Sequence, residues 1–234
     1  FFACSDYAGK WFYNKKIING ENFFIIKNGI EIDKFKFDLE VRNNKRKELG
    51  LNQTDVVIGH VGRFNKQKNH KYLIEVFGKA LLKNKNLKLV LVGTGPLEIE
   101  IKELIRKKGI EENSILLGKR EDVSELYQAF DAFVLTSLYE GLPLVGVEAQ
   151  ISGCNCIFSE KITKEVKINE KTKFIPINDE KEWINIFWNL DNSIIDRNNV
   201  EKDIYNIEKI TINIYANESN KEYLIYIYVF FLSS

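Results

Sequence analysis

Residues 132–156 read AFVLTSLYEGLPLVGVEAQISGCNC. The first four are a short apolar run, the pattern of a buried strand. A loop opening on Glu140 follows, then a segment of helical character carrying a second carboxylate at Glu148, then a turn at Gly153. Pro143 suits the first turn of that helix, where its missing N–H breaks no bond. The backbone N–H groups of Gly141 and Leu142 are then expected at a helix N-terminus, a ready site for phosphate. Gly141 has no Cβ, so a ligand can approach its backbone closely. Glu148, about one and a half turns into the helix, can accept two hydrogen bonds from a diol such as ribose.

Outward from this stretch, short apolar runs alternate with amphipathic segments. Residues 56–61, 87–92, 115–117 and 155–158 read as strands. Between them, Leu73, Val76, Phe77, Ala80 and Leu81 fall at helical spacing on one face. Residues 97–109 read as a helix with polar residues outward, and 122–130 as a helix capped by Asp122. Residues 43–50 are helical in composition and stop at Gly50 as a C-cap does. The alternation predicts a Rossmann-like, doubly wound parallel α/β sheet. Such sheets bind ligands at the carboxyl ends of strands, where strand order reverses. The flanks carry less information. Residues 1–5 and 23–26 read as strands, the second closed by Asn28-Gly29, with a helix over 7–14. Residues 180–189 read as a helix with Trp183, Phe187 and Trp188 near one face, as core or interface rather than a stacking platform.

The chain has 234 residues, 44% hydrophobic and 29% charged, ordinary proportions for a soluble globular protein. A net charge of +1 gives no global field to draw in nucleic acid or an anionic membrane, so any basic site must be local. The three cysteines, Cys4, Cys154 and Cys156, are too few and too odd in number for a disulfide framework, and point to a reducing compartment. Cys154 and Cys156 have no second pair or histidine nearby and read as buried structural thiols. No secretory signal pattern opens the chain, no Met occurs in it, and it is expected to begin inside a longer protein. The apolar run 224–232 is about half the length that spans a bilayer.

Gly62-Arg63-Phe64-Asn65-Lys66-Gln67-Lys68-Asn69 follows the strand at 56–61. Arg63 offers a planar fork for phosphate oxygens and Lys68 a compact charge, with Lys66 as an alternative cation. Asn69 ends the loop, and Asn takes positive φ less freely than Gly. Gly93-Thr94-Gly95-Pro96 fails as a dinucleotide fingerprint because Glu98 stands where a third glycine belongs, which argues against a nicotinamide dehydrogenase. Arg120, in Gly118-Lys119-Arg120, either stacks on a base or faces solvent. His60 sits in an apolar strand as a core residue, and His70 is expected to cap the helix it opens. Two such histidines build neither a catalytic triad nor a metal site.

Glu140-Gly-Leu-Pro, with Glu148 eight positions after the first glutamate, then Ala149 and Gly153, resembles the E-x7-E motif of GT-B glycosyltransferases of the family-4 type. GRFNKQKN resembles that family's GR-[LF]-x-x-x-K-G segment, with Asn69 in place of the usual Gly. GTGP resembles its G-x-G-P loop, and IIKNGIEIDKF its hinge. The motifs run over residues 25–177. The resemblance implies the C-terminal half of a GT-B fold: a remnant of an N-terminal acceptor domain and hinge over 1–38, a nucleotide-sugar-binding domain over 39–190, and a helical or irregular tail over 191–234. It implies transfer of a sugar from a nucleotide-diphosphate sugar, a UDP-sugar for preference, to a glycan or lipid-linked acceptor in polysaccharide or cell-surface glycan synthesis. Arg63, Lys68 and Glu140 would be catalytic. Gly62, Gly95, Arg120, Gly141, Leu142 and Glu148 would hold the nucleotide, with Glu140 near the sugar and Glu148 on the ribose. No metal or other cofactor is implied, and no nucleic-acid partner. The setting is cytoplasmic, with peripheral association at the inner face of a membrane left open. The alternative is a nucleotide-binding or scaffold module without turnover. Glu140 and Glu148 do not read as a glycosidase pair, which needs one acid and one nucleophile facing each other across the substrate.

Overall fold

A computed structural model describes residues 1–3, 6–25, 30–191 and 197. The turn at Asn28-Gly29, Cys4 and almost all of the tail lie outside the described residues. β1 (Phe2–Ala3) and β2 (Phe24–Ile25) pair in parallel as a separate two-stranded sheet. Between them run α1 (Asp6–Phe12) and α2 (Lys15–Ile18). A short α3 (Ile32–Phe35) leads to α4 (Leu39–Glu48). Helix α4 starts four residues earlier than its charged composition suggests. Asp38 accepts hydrogen bonds from the N–H groups of Glu40 and Val41, fixing the first turn there. Gly50, at φ 68°, ends it as expected.

The remaining elements are β3 (Val56–Val61), α5 (His70–Leu81), β4 (Leu87–Val92), α6 (Glu98–Lys108), β5 (Ser114–Gly118), α7 (Val123–Ala129), β6 (Ala132–Leu135), α8 (Leu144–Ile151), β7 (Asn155–Ser159), β8 (Lys173–Ile175) and α9 (Glu180–Trp188). The six strands from β3 to β8 form one parallel sheet in the order β5-β4-β3-β6-β7-β8. The chain winds outward one way from β3 through β4 to β5, then crosses back to start the other way at β6. Strand order therefore reverses between β3 and β6, where this architecture opens a crevice.

Alternation along each strand splits the core into two faces. Val56, Ile58, Leu87, Leu89, Leu91 and Val134 pack with α5, α6 and α9. Val57, Val61, Val90, Val92, Phe133 and Leu135 pack with α7 and α8 on the other face. The central strands β3, β4 and β6 are buried on both sides, which is why their runs are nearly uninterrupted in apolar residues, while the edge strands β5 and β8 are only partly covered. Helix α4 is tied to the start of β6 by charge rather than by oil. Arg42 and Arg46 reach the buried Asp131 carboxylate at 2.5 and 3.2 Å, and Asp131 Oδ2 also accepts from Val57 N–H at 2.7 Å.

Three local expectations are corrected. Asp122 stands at the N-cap position of α7 without capping it, because its carboxylate is drawn to Arg120 at 2.6 Å and Lys45 at 2.7 Å. His70 opens α5 but does not cap it; Asn69 occupies that position with no side-chain bond. Trp188 leaves the face shared by the buried Trp183 and Phe187, and its exposed ring lies under the Lys83 ammonium.

Candidate functional site

The loop after β3 and the loop after β6 flank the point where strand order reverses, and they are stitched together. Leu138 N–H donates to Gln67 O at 2.8 Å, and Gln67 Nε2 donates to Tyr139 O at 2.9 Å. Thr136 Oγ1 donates to the carbonyls of Lys68 and Asn69, both at 3.2 Å. Asn69 takes φ 55°, the one positive φ at a non-glycine position among the described residues. The left-handed conformation explains why glycine suits this place and why Asn, among the better-tolerated substitutes, can stand in.

Lys68 and Glu140 meet across these loops, Nζ to Oε1 at 2.5 Å, with side chains 14% and 10% exposed. Ser137 Oγ donates to the same Oε1 at 2.8 Å, leaving Oε2 without a protein donor among the described residues. Gly62 lies under the Lys68 stem, where a Cβ would come within 3.1 Å of Lys68 Cε. Gly93, at φ 133°, abuts Gly62: a Cβ there would sit 2.1 Å from Gly62 O. Gly95 presses on the Phe64 backbone, where a Cβ would come within 2.5 Å of Phe64 O. The GTGP turn is therefore a packing device that carries the β4 end against the β3 loop. Arg63 is exposed at the start of this loop, and no side-chain bond engages it among the described residues. Lys66 is likewise exposed.

Helix α8 begins at Leu144, with Pro143 as its N-cap rather than its first residue. Gly141 and Leu142 thus precede the helix, and the first helical N–H groups belong to Leu144 and Val145. That corrects the expectation that Gly141 and Leu142 supply the helix N-terminal donors; they belong to the loop leading in. A Cβ on Gly141 would meet only Ala8 Cβ, at 3.7 Å, and Trp11 stacks on Tyr139 with ring centroids 6.3 Å apart, so α1 lies over this loop.

Glu148 is one turn into α8 and half-buried. Its Oε2 accepts from Tyr127 OH at 2.9 Å. Burial pushes its carboxyl above the usual range, and the Tyr127 hydrogen bond and the Lys34 charge act against that push. Arg120 is held by carboxylates. Its guanidinium is bound to Asp122 and, at 2.8 Å, to Glu48, so neither of the two roles left open for it describes its present partners.

Beneath Lys68 the two histidines stack edge to face, centroids 4.5 Å apart, with Phe64 4.7 Å from His70. Both are buried. His60 Nδ1 donates to Val134 O at 2.8 Å, which leaves Nε2 as an acceptor. That atom and both His70 nitrogens have no partner among the described residues. Burial, then the Lys68 charge, pushes His70 down to about 4; burial, then His70 and Lys68, pushes His60 well below its usual value. Both rings are neutral at pH 7, so the positive charge of this loop resides on Lys68 and the exposed cations.

Sequence reasoning missed Ser137, Tyr127, Gln67 and the packing of His70. Ser137, three residues before Glu140, is the one whose spacing carried a local signal. Tyr127 reads as core in any pattern, since only the three-dimensional fold shows where its hydroxyl goes. Cys154 and Cys156 are buried and free, and burial pushes both thiols up, as structural thiols require. Among the described residues no three His, Cys, Asp or Glu side chains cluster as metal ligands. No described helix is long and apolar enough to cross a membrane.

A family model described as glycosyl transferases group 1 matches residues 41–202. A Bacillus subtilis (strain 168) protein named as the glycosyltransferase EpsF is 37% identical over 164 residues, 70% of this chain and 43% of that protein. The Escherichia coli UDP-Gal:alpha-D-GlcNAc-diphosphoundecaprenol alpha-1,3-galactosyltransferase is 30% identical over 213 residues, 83% of this chain and 55% of that one. The chain spans about half the length of the curated relatives it matches. The C-terminal domain of LpcC, a glycosyl transferase group 1 family protein from Francisella tularensis, superposes with a TM-score of 0.65 at 20% identity, covering 80% of this chain and 100% of that domain. The six-stranded sheet is thus the Rossmann-like fold of the C-terminal half of a GT-B protein.

Proposed function

The chain belongs to the glycosyl transferases group 1 family, and from that premise we propose that it binds a nucleotide-diphosphate sugar and supplies the donor side of sugar transfer. Residues 1–38 are read as belonging to an acceptor domain and hinge, 39–190 as the donor domain, and 191–234 as a tail. In the reaction, the bond from the anomeric carbon to the diphosphate breaks. A bond to an acceptor hydroxyl oxygen forms, the hydroxyl proton departs, and a nucleoside diphosphate leaves. Negative charge grows on the leaving diphosphate, and stabilising it is the main task for the protein. Arg63, Lys68 and the first N–H groups of α8 are suited to that task. Glu140 is suited to the sugar hydroxyls through Oε2, and Glu148 to the ribose diol.

The observation that carries this reading is the stitched pair of loops at the reversal point, which brings Lys68 and Glu140 into contact beside Gly62. A UDP-sugar donor is favoured by the UDP-Gal in the name of the E. coli relative. The acceptor is assigned to the class of glycans and lipid-linked glycans, the setting to polysaccharide or cell-surface glycan synthesis, and the location to the cytoplasm, with association at the inner face of a membrane. A metal-free mechanism fits a site whose cations are side chains.

Calorimetric titration with UDP and GDP tests the site. Glu148→Ala should weaken binding about a hundredfold, by loss of hydrogen bonds to a charged acceptor. Arg63→Ala should weaken it about tenfold. Unchanged affinity in both variants would defeat the assignment. For the 234 residues taken alone, which cover 43% and 55% of those two relatives, the second reading is nucleotide binding without turnover. Robust sugar transfer by these 234 residues alone would exclude it.

A further inference from the structure

Among the described residues Glu148 has no basic residue hydrogen-bonded to it; what holds it is a phenol. Tyr127, on α7, is fully buried, with its ring packed by Phe35, Phe130 and Phe133. Its backbone is also engaged, since the Cys154 thiol donates to Tyr127 O at 3.3 Å. The ring therefore has little freedom, and its hydroxyl is delivered to Glu148 Oε2 from a fixed direction, at 2.9 Å. A carboxylate held on one oxygen by a rigid donor keeps its other oxygen, Oε1, aimed at whatever lies in front of α8. This is how a support residue sets a binding group whose own side chain has three rotatable bonds.

We propose that Tyr127 is a positioning residue of the nucleotide site: its hydroxyl orients the Glu148 carboxylate so that Oε1 receives a vicinal diol, the ribose of a nucleoside diphosphate. The proposal rests on the nucleotide-sugar reading above. Among the described residues the groups that face Glu148 are Tyr127 from α7 and the Lys34 ammonium from α3. Cys154 and Cys156 stand behind Tyr127, neutral at pH 7 because burial pushes them up. Burial alone would favour a protonated Glu148, which would offer a donor where a diol needs acceptors. The Tyr127 hydrogen bond favours the ionised form instead.

Tyr127→Phe keeps the ring and removes one oxygen. With the full chain, its affinity for UDP should fall about tenfold at pH 7. Its affinity for 2′,3′-dideoxy-UDP, which lacks the diol, should match the wild type. Equal losses for both ligands would mark Tyr127 as merely structural and overturn the proposal, as would no loss for UDP. A ligand-free measurement stands beside this one. The carboxyl 13C resonance of Glu148, identified by its absence in Glu148→Gln, should titrate at higher pH in Tyr127→Phe than in the wild type. An unmoved midpoint overturns the positioning role even where UDP binding falls. If the wild type binds neither UDP nor GDP, the functional reading falls by itself, and the Glu148 midpoint alone decides whether Tyr127 positions it.

Discussion

Two carboxylates eight positions apart, Glu140 and Glu148, live in opposite electrostatic settings. Glu140 is held by a cation and a hydroxyl on the same oxygen, Lys68 at 2.5 Å and Ser137 at 2.8 Å, in a loop tied to the end of β3. Glu148 stands on α8 with a phenol at 2.9 Å, and the Lys34 charge acts on it without a hydrogen bond. The first site has its countercharge built in. The second keeps a half-buried negative charge with no cation hydrogen-bonded to it among the described residues, an arrangement that costs stability and suits a group whose partner is a ligand. The lesson is that two glutamates in one motif need not share a role, and that the partner already present tells them apart.

The comparison can be broken most easily at Lys68. Lys68→Leu leaves Glu140 nearly buried with a hydroxyl alone, and should cost about 3 kcal/mol in chemical denaturation. Lys68→Leu combined with Glu140→Leu should recover most of that loss, and a double variant no more stable than the single would show that the pair is not what matters. Of similar size is the acid response of the buried histidine below Lys68. His70 binds its proton near pH 6.5 when unfolded but near about 4 when folded. Its contribution to stability is therefore complete above pH 6.5 and lost as pH falls toward 4, by about 3 kcal/mol in all. His70→Leu should flatten that slope in thermal melts across this range.

Glu148 should lean the other way. Burial raises its folded value above the unfolded one, so its own contribution to stability falls as pH rises from about 4. Glu148→Gln should then stabilise the chain in chemical denaturation at pH 8 and leave it unchanged at pH 3. A loss at pH 8 would erase the contrast with Glu140. The smallest effect is at Arg63, which is exposed. Arg63→Ala should shift stability by less than about 0.5 kcal/mol, so any change in nucleotide binding there reads directly as a lost contact.

The centre of the sheet was legible because its strands are buried on both faces. Val56–Val61, Leu87–Val92 and Ala132–Leu135 stand where the apolar runs place them, since nothing but a parallel core tolerates such runs. Helix ends were less legible, because a cap depends on competition. Asp122 has the right identity to cap α7, but two cations from other places outbid the backbone for it. The meeting of Lys68 with Glu140 was foreseeable only as a shared neighbourhood, since both follow strands at the reversal point. The Tyr127 hydroxyl and the histidine stack were not foreseeable. Both are contacts across elements, between residues that local patterning marks simply as core.

The tie between the two loops has a consequence for change. Gln67 gives a carbonyl and takes a carbonyl across the gap, and Thr136 closes the same seam from the other side. A replacement of either segment alone would arrive with mismatched donors and acceptors. Anyone transplanting this region into another scaffold must treat it as one cassette cut into two pieces, and descendants of this chain should be able to alter one piece only in step with the other.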